Sequence, residues 1–252
     1  MKKDVSFAVE GIRIAGEVHF PGDRSQRGPA LCICHGIPSG EPPHPSDGGY
    51  PLLARKFSAA GYVTLIFNFR GTGLSGGDFD IRGWARDLES AIDWLSSRAA
   101  VDMSRLYLMG FSGGAAVSAY VAAHDRRVAG VILCACPADF DKLVGPQNLL
   151  SPEHFRRIGA IRDVHFPPSV DEWLDGFREV APIRWVDKIA PRPVLLLHGA
   201  EDDVVRPDEA WRLYQKAGEP KEMAIIKGAG HKLRLSQEAM DKALEWLGEQ
   251  VN

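Results

Sequence analysis

The chain has no apolar run approaching the roughly 20 residues needed to cross a bilayer. It also lacks a readable secretory leader. Met1-Lys2-Lys3 supplies a positive start, but Asp4, Glu10 and Arg13 interrupt the apolar stretch that should follow. A cytoplasmic protein without a membrane partner is expected. Neither sign of charge is in excess: 30 Lys and Arg face 33 Asp and Glu, for a formal net charge of -3. That balance disfavours nucleic acid or an anionic surface as the main partner, because both call for a basic face. No P-loop lysine and no dinucleotide-binding glycine loop are expected, so no nucleotide cofactor is implied. Cysteine is scarce as well. Cys32, Cys34, Cys134 and Cys136 form two Cys-x-Cys pairs inside apolar runs, whereas zinc knuckles place Cys-x2-4-Cys on turns. The four thiols read as small filler on buried strands, and no metal is expected.

What is present is an alternation. Val5, Phe7 and Val9, then Ile12, Ile14 and Val18, flank a turn at Gly11 and predict two half-buried strands. Continuous apolar runs follow at Ala30–Cys34, Val63–Phe67, Leu106–Met109, Val128–Cys134 and Val194–Leu197. Such runs fit strands covered on both faces, as in a parallel sheet. Amphipathic stretches lie between them, over Tyr50–Ala60, Ile81–Ser97, Gly113–Ala123, Asp208–Ala217 and Ser236–Gln250. Strand–helix alternation over 252 residues predicts one α/β domain with a doubly wound, mostly parallel sheet. One segment, residues 137–191, is too long for an ordinary connection. It carries its own helix starts at Ser151-Pro152-Glu153 and Ser169-Val170-Asp171-Glu172. It reads as a small helical insertion.

The stretch "LYLMGFSGGAAVSAY" joins an apolar strand to a helix of small residues through Gly110-Phe111-Ser112-Gly113-Gly114. This Gly-x-Ser-x-Gly pattern in a strand–turn–helix context is a nucleophile elbow. Bulk at Gly110 or Gly114 would strike the neighbouring strand and helix. The helix start after Ser112 aims N–H groups at the site, where negative charge can be held. A serine hydroxyl needs a base. Of eight histidines, His231 is favoured, because Lys227-Gly228-Ala229-Gly230-His231 can carry it back over the sheet edge. His198, ending a strand, reads as a turn-shaping residue. His19, His44, His124, His154 and His165 read as surface or loop residues. The base needs an orienting carboxylate, and "HGAEDDVVRP" offers Glu201, Asp202 and Asp203. "LCICHGIPSG" brings His35-Gly36-Ile37 to the end of another strand, so the N–H groups of Ile37 and Gly113 are candidate donors to an oxyanion.

Taken together, "HGIP", "FNFRGTGLSGG", "GFSGG", "HGAEDDVV" and "GAGH" resemble the α/β-hydrolase family, in family order and over essentially the whole chain. The resemblance implies the α/β-hydrolase fold, with residues 137–191 as a helical cap similar to those of small carboxylesterases, cinnamoyl and feruloyl esterases among them. It makes Asp202 the triad acid beside Ser112 and His231, and Asn68–Gly77 a structural turn. Related dehalogenases and epoxide hydrolases use an aspartate nucleophile, where this chain has Ser112. A serine hydrolase acting on small-molecule esters is therefore expected, without cofactor. Thioesterase, lactonase, amidase or small peptidase activity shares the same residues, and a non-catalytic binding protein on this fold is the competing class. Of the apolar residues in the insertion (Leu149, Leu150, Phe155, Ile158, Phe166, Trp173, Leu174, Phe177 and Trp185), some must bury against the sheet edge. A few are expected to line a pocket above Ser112.

Overall fold

The computed structural model describes residues 1–22, 27–40, 47–141 and 150–251. Eight strands form one sheet: β1 (Lys2–Val9), β2 (Ile12–His19), β3 (Gly28–Cys34), β4 (Val63–Phe67), β5 (Val101–Phe111), β6 (Val128–Cys134), β7 (Val194–Gly199) and β8 (Lys221–Ile226). Their spatial order is β1-β2-β4-β3-β5-β6-β7-β8. The β1–β2 hairpin joins β4 antiparallel, and all later pairings are parallel.

The continuous apolar runs are explained by two cores. Successive side chains of a strand point to opposite faces. Cys32, Leu108, Leu133 and Leu196 enter one core, with Trp84, Leu88 and Ile92 of α2 (Ile81–Ser96), Ala116 and Val117 of α3 (Gly113–His124), and Leu213 of α6 (Pro207–Lys216). Leu31, Ile33, Met109, Ile132 and Leu197 enter the other, with Phe57 of α1 (Gly49–Ala59) and Trp246 of α7 (Gln237–Val251). All four cysteines are free and buried within these layers. Strand β5 begins five residues before the apolar run that announced it, because Val101 already pairs with Gly28 of β3 and residues 102–105 bulge out before pairing resumes at Leu106. His19 departs from the expected surface placement: it is buried on β2, with its ring 2.9 Å from Glu17. His44 and Leu149 fall outside the described residues.

The bare spacing Gly-x-Gly-x-x-Gly does occur, at Gly71-Thr72-Gly73-Leu74-Ser75-Gly76, contrary to the expectation that no such loop is present. Its structure differs from a dinucleotide loop. The Gly71 N–H donates to the Gly76 carbonyl (2.9 Å), and Gly76 in turn donates to Arg13 of β2 (2.9 Å). Helix α2 starts only at Ile81, capped by the Asp80 side chain. The turn closes on β2 and leaves no helix N-terminus facing it.

Between β6 and β7 lie α4 (Pro152–Arg157) and α5 (Val170–Val180), capped by the Ser151 and Ser169 side chains as their sequences suggested. Their aromatics mostly join the first core. Phe79, which precedes α2, stacks on Phe155 at 4.1 Å between ring centres and meets Trp173 edge-on at 6.0 Å. The Trp173 indole N–H donates to the Phe79 carbonyl (3.0 Å). Phe155, Trp173 and Phe177 are buried, whereas Ile158, Phe166 and Leu174 are only partly so. Trp185 packs against Tyr120 and His124 of α3. Trp173 and Phe177 thus hold the insertion to the body, and their burial here is structural. Replacing a buried large aromatic by alanine typically costs about 3–5 kcal/mol. Trp173→Ala should lose that much stability in denaturant unfolding; a change under about 1 kcal/mol would contradict the packing described.

Candidate active site

Ser112 lies between β5 and α3 with φ 52° and ψ -123°, a left-handed backbone that L side chains rarely adopt. Two glycines make the turn possible. A Cβ on Gly110 would lie 2.6 Å from the Ala115 nitrogen, and one on Gly114 would lie 2.7 Å from the Cys34 carbonyl oxygen. Strand β3, strand β5 and helix α3 therefore approach more closely than any side chain would permit. The Ser112 N–H is held by the Cys134 carbonyl of β6 (2.8 Å), and its own carbonyl accepts from Ala115 and Ala116. The hydroxyl is thereby lifted above the sheet edge and left half-buried.

His231 reaches that hydroxyl from the loop after β8. Its Nε2 is 3.1 Å from Ser112 Oγ, across 119 positions of sequence. Its Nδ1 is 2.8 Å from Asp202 Oδ2. Asp202 sits in the loop after β7 and is buried. Its other oxygen, Oδ1, accepts the N–H groups of Val204 (3.0 Å) and Val205 (2.9 Å). Burial alone would raise the Asp202 pKa. Hydrogen bonds from His198 and His231, with the backbone donors, outweigh it and hold the carboxyl well below the usual carboxylate range. Glu201 and Asp203 on either side are exposed. Of the three acids in "EDD", the structure brings only Asp202 to His231.

The loop after β3 completes the constellation. Ile37 lies against Gly113: a Cβ on Gly113 would be 2.6 Å from the Ile37 side chain and 3.5 Å from its nitrogen. Among the described residues no acceptor takes the Ile37 N–H. The Gly113 N–H opens α3 and has no intrahelical acceptor. Both expected donors thus flank Ser112. His35 sets the loop's course. Its Nδ1–H donates to the Gly36 carbonyl (2.8 Å), while Nε2 accepts the Phe69 N–H (3.2 Å). The ring is packed edge-on against Phe69 and Trp84. This desolvation pushes its pKa down to about 4, against the opposing effect of the Gly36 carbonyl. The imidazole is neutral at pH 7, as both hydrogen bonds require.

Sequence reasoning missed several neighbours of this constellation. His198 does shape the turn, donating from Nε2 to the Val205 carbonyl (2.7 Å), but the same nitrogen is also 3.3 Å from Asp202 Oδ2. Three residues beyond His231, Arg234 pairs with the buried Asp47 carboxylate and lies over the Tyr50 ring at 5.3 Å. Asp47 and Arg234 border a cleft of about 610 Å³ between α1 and the start of α7, lined also by Leu52, Leu235 and Met240. Asp47 and Arg234 are 187 positions apart, and no local pattern announces such a pair. Among the described residues, no group of three or more His, Cys, Asp or Glu could hold a metal ion.

Comparisons with known proteins agree with this architecture. An uncharacterised Mycobacterium tuberculosis protein, Rv2307c, is 30% identical over 224 residues, which cover 88% of this chain and 69% of that protein. The polyketide transferase GrgF of a Penicillium species is 26% identical over 91% of this chain and 89% of its own length. Its crystal structure, described as an α/β hydrolase, superposes with a TM-score of 0.76 over 99% of both chains. Est1E of Butyrivibrio proteoclasticus, at 18% identity, superposes with a TM-score of 0.76 over 98% of both chains. A profile of the prolyl oligopeptidase family matches residues 52–252. The chain therefore belongs to the prolyl oligopeptidase family of α/β hydrolases.

Proposed function

We propose that this hydrolase cleaves small carboxylic esters through a covalent acyl-enzyme on Ser112. The observation that carries the reading is the Ser112–His231–Asp202 chain of contacts at 3.1 and 2.8 Å, anchored on a strained elbow. In the first half-reaction His231 Nε2 takes the Ser112 proton as Oγ attacks the acyl carbon. The carbonyl electrons move onto oxygen, and the N–H groups of Ile37 and Gly113 stabilise that oxyanion. The intermediate collapses, the C–O bond to the alcohol breaks, and His231 returns its proton to the leaving oxygen. Water then attacks the acyl-enzyme with His231 again as base, releasing the acid and restoring Ser112. Asp202, ionised throughout, holds His231 with Nδ1 as donor and steadies the imidazolium.

The reading includes residues 137–191 as a cap within a single domain, and a cytoplasmic setting without a cofactor. Partly buried Phe166, Ile158 and Leu174 remain as the insertion's candidates for contact with the acyl group. A second reading, acyl transfer from a thioester, is favoured by the likeness to GrgF, which is named a polyketide transferase. The leaving sulfur would replace the leaving oxygen, with an acceptor hydroxyl taking the place of water. Feruloyl-type esters gain support from Est1E, one structure of which holds ferulic acid. A panel of p-nitrophenyl esters, aryl esters, acyl thioesters and aminoacyl anilides separates these classes.

Ser112→Ala should lower kcat by on the order of 10³-fold or more while leaving the melting temperature unchanged. Near-normal turnover in the folded variant would end the mechanism. Asp202→Asn should cost about 10⁴-fold in kcat, the effect of imposing the wrong imidazole tautomer. Asp203→Asn should stay within about twofold, as expected for an exposed side chain outside the chain of contacts. On the acid side, kcat/KM should fall in one step as His231 takes up a proton, since a protonated imidazole cannot accept the serine proton. Asp202 adds no second step there, because its carboxyl is held below the usual range. A profile flat into the acid region would exclude a histidine base.

A further inference from the structure

Two histidines face one carboxylate. Asp202 Oδ2 lies 2.8 Å from His231 Nδ1 and 3.3 Å from His198 Nε2, while Oδ1 is taken by two backbone N–H groups. The His198 side chain is 1% exposed and that of Asp202 is fully buried, so water does not compete for either. His198 Nε2 is also 2.7 Å from the Val205 carbonyl, which can only accept. A ring proton therefore resides on Nε2, close to both the carbonyl and the carboxylate. The titratable groups facing Asp202 are thus His198 from β7 and His231 from the loop after β8. Asp203 and Glu201 turn to solvent, Arg234 is committed to Asp47, and buried Glu209 of α6 accepts from Ala138 and Arg212.

We propose that His198 is a positioning residue that acts through Asp202, fixing the turn from Asp202 to Val205 and drawing charge from the oxygen that His231 uses. The inference rests on the functional reading above, in which His231 is the base. Two effects follow from one N–H group. First, the bond to the Val205 carbonyl closes the turn whose N–H groups of Val204 and Val205 orient the carboxylate. Second, the polarised N–H group, aimed chiefly at Val205 but with its nitrogen 3.3 Å from Oδ2, makes that oxygen a weaker partner for an imidazolium. An Asp202 without that donor would hold the imidazolium form of the base more tightly. The hydrogen bond from His198 is also one of the causes that hold Asp202 ionised.

Two variants separate this role from plain packing. His198→Gln places an amide N–H near the position of Nε2, and His198→Met fills a similar volume with no donor. Both are measured by kcat/KM against pH, with competent enzyme counted by covalent titration of Ser112 with a fluorophosphonate. In His198→Met the acid limb should move to higher pH by at least about 0.5 unit, and kcat should fall up to roughly tenfold, the net worth of one hydrogen bond. His198→Gln should keep the limb within about 0.2 unit of the wild type, as the retained donor requires. An unmoved limb in titratable His198→Met enzyme overturns the proposal, as does an equal shift in both variants. Failure of both variants to fold also overturns it, since the ring itself and not its N–H would then be what the protein needs. If the wild type shows neither labelling nor an acid limb, the ester-hydrolase reading falls first and the inference with it. A wild type that labels and titrates leaves that reading standing whichever way His198 resolves.

Discussion

The close approach of β3, β5 and α3 around Ser112 is the constraint on which the site depends. A sparsely populated positive-φ backbone costs a residue with a side chain on the order of 1–3 kcal/mol, and Ser112 adopts one at φ 52° and ψ -123°. The serine side chain itself, which makes no capping hydrogen bond, does not offset that cost. It is met by the surroundings: the Cys134 carbonyl on the Ser112 N–H, the first turn of α3 on its carbonyl, and the missing Cβ atoms of Gly110 and Gly114. Because β5 is central in the sheet, with β3 and β6 paired on either side, the turn has no freedom to relax. A hydroxyl so placed is presented in one direction only.

The remaining groups reach that hydroxyl from loops at the same edge of the sheet. Parallel strands end together, so the loops after β3, β5, β7 and the edge strand β8 deliver Ile37, Ser112, Asp202 and His231 to one place. Loops of this kind are positioned by the rigid scaffold beneath them. The second turn of constraint is polar. His35 and His198 each tie one of these loops to a backbone carbonyl, Gly36 in one case and Val205 in the other. Buried polar groups of this sort hold a geometry that apolar contacts alone would leave loose.

Much of this was legible in sequence, for stated reasons. The strands β4 and β6 coincide with their apolar runs because both faces of each are buried, and α2 follows from Trp84, Leu88, Ile92 and Leu95 at helical spacing. Ser112 was readable because its glycines are demanded by backbone contact, and Asp202 because its distance from His198 follows the family's pattern. The early half of β5 is not readable, since Asp102, Ser104 and Arg105 are polar and lie in a bulge between the Val101 and Leu106 pairings with β3. The bare glycine spacing at residues 71–76 does not reveal its own role, because its turn is defined by contacts to β2 that no local pattern encodes. The aromatic residues of the β6–β7 insertion were legible as apolar but not as to destination. Whether Trp173 faces a ligand or Phe79 depends on packing between segments 94 positions apart.

The aromatic cluster around Phe79 also bears on how this family can diversify. Insertions between two strands are often treated as exchangeable modules, because their ends lie close together and the scaffold continues without them. Here the boundary of the module does not coincide with the boundary of the segment. Phe79 belongs to the chain before α2, yet it stacks on Phe155 and accepts the Trp173 indole. Arg82 of α2 likewise binds Glu179 and the Glu172 carbonyl of α5. An insertion transplanted from a relative would meet a foreign partner surface unless the stretch from Phe79 into α2 travelled with it. The packing unit to which the insertion belongs is thus discontinuous in sequence, and substitution in one of its halves constrains the other.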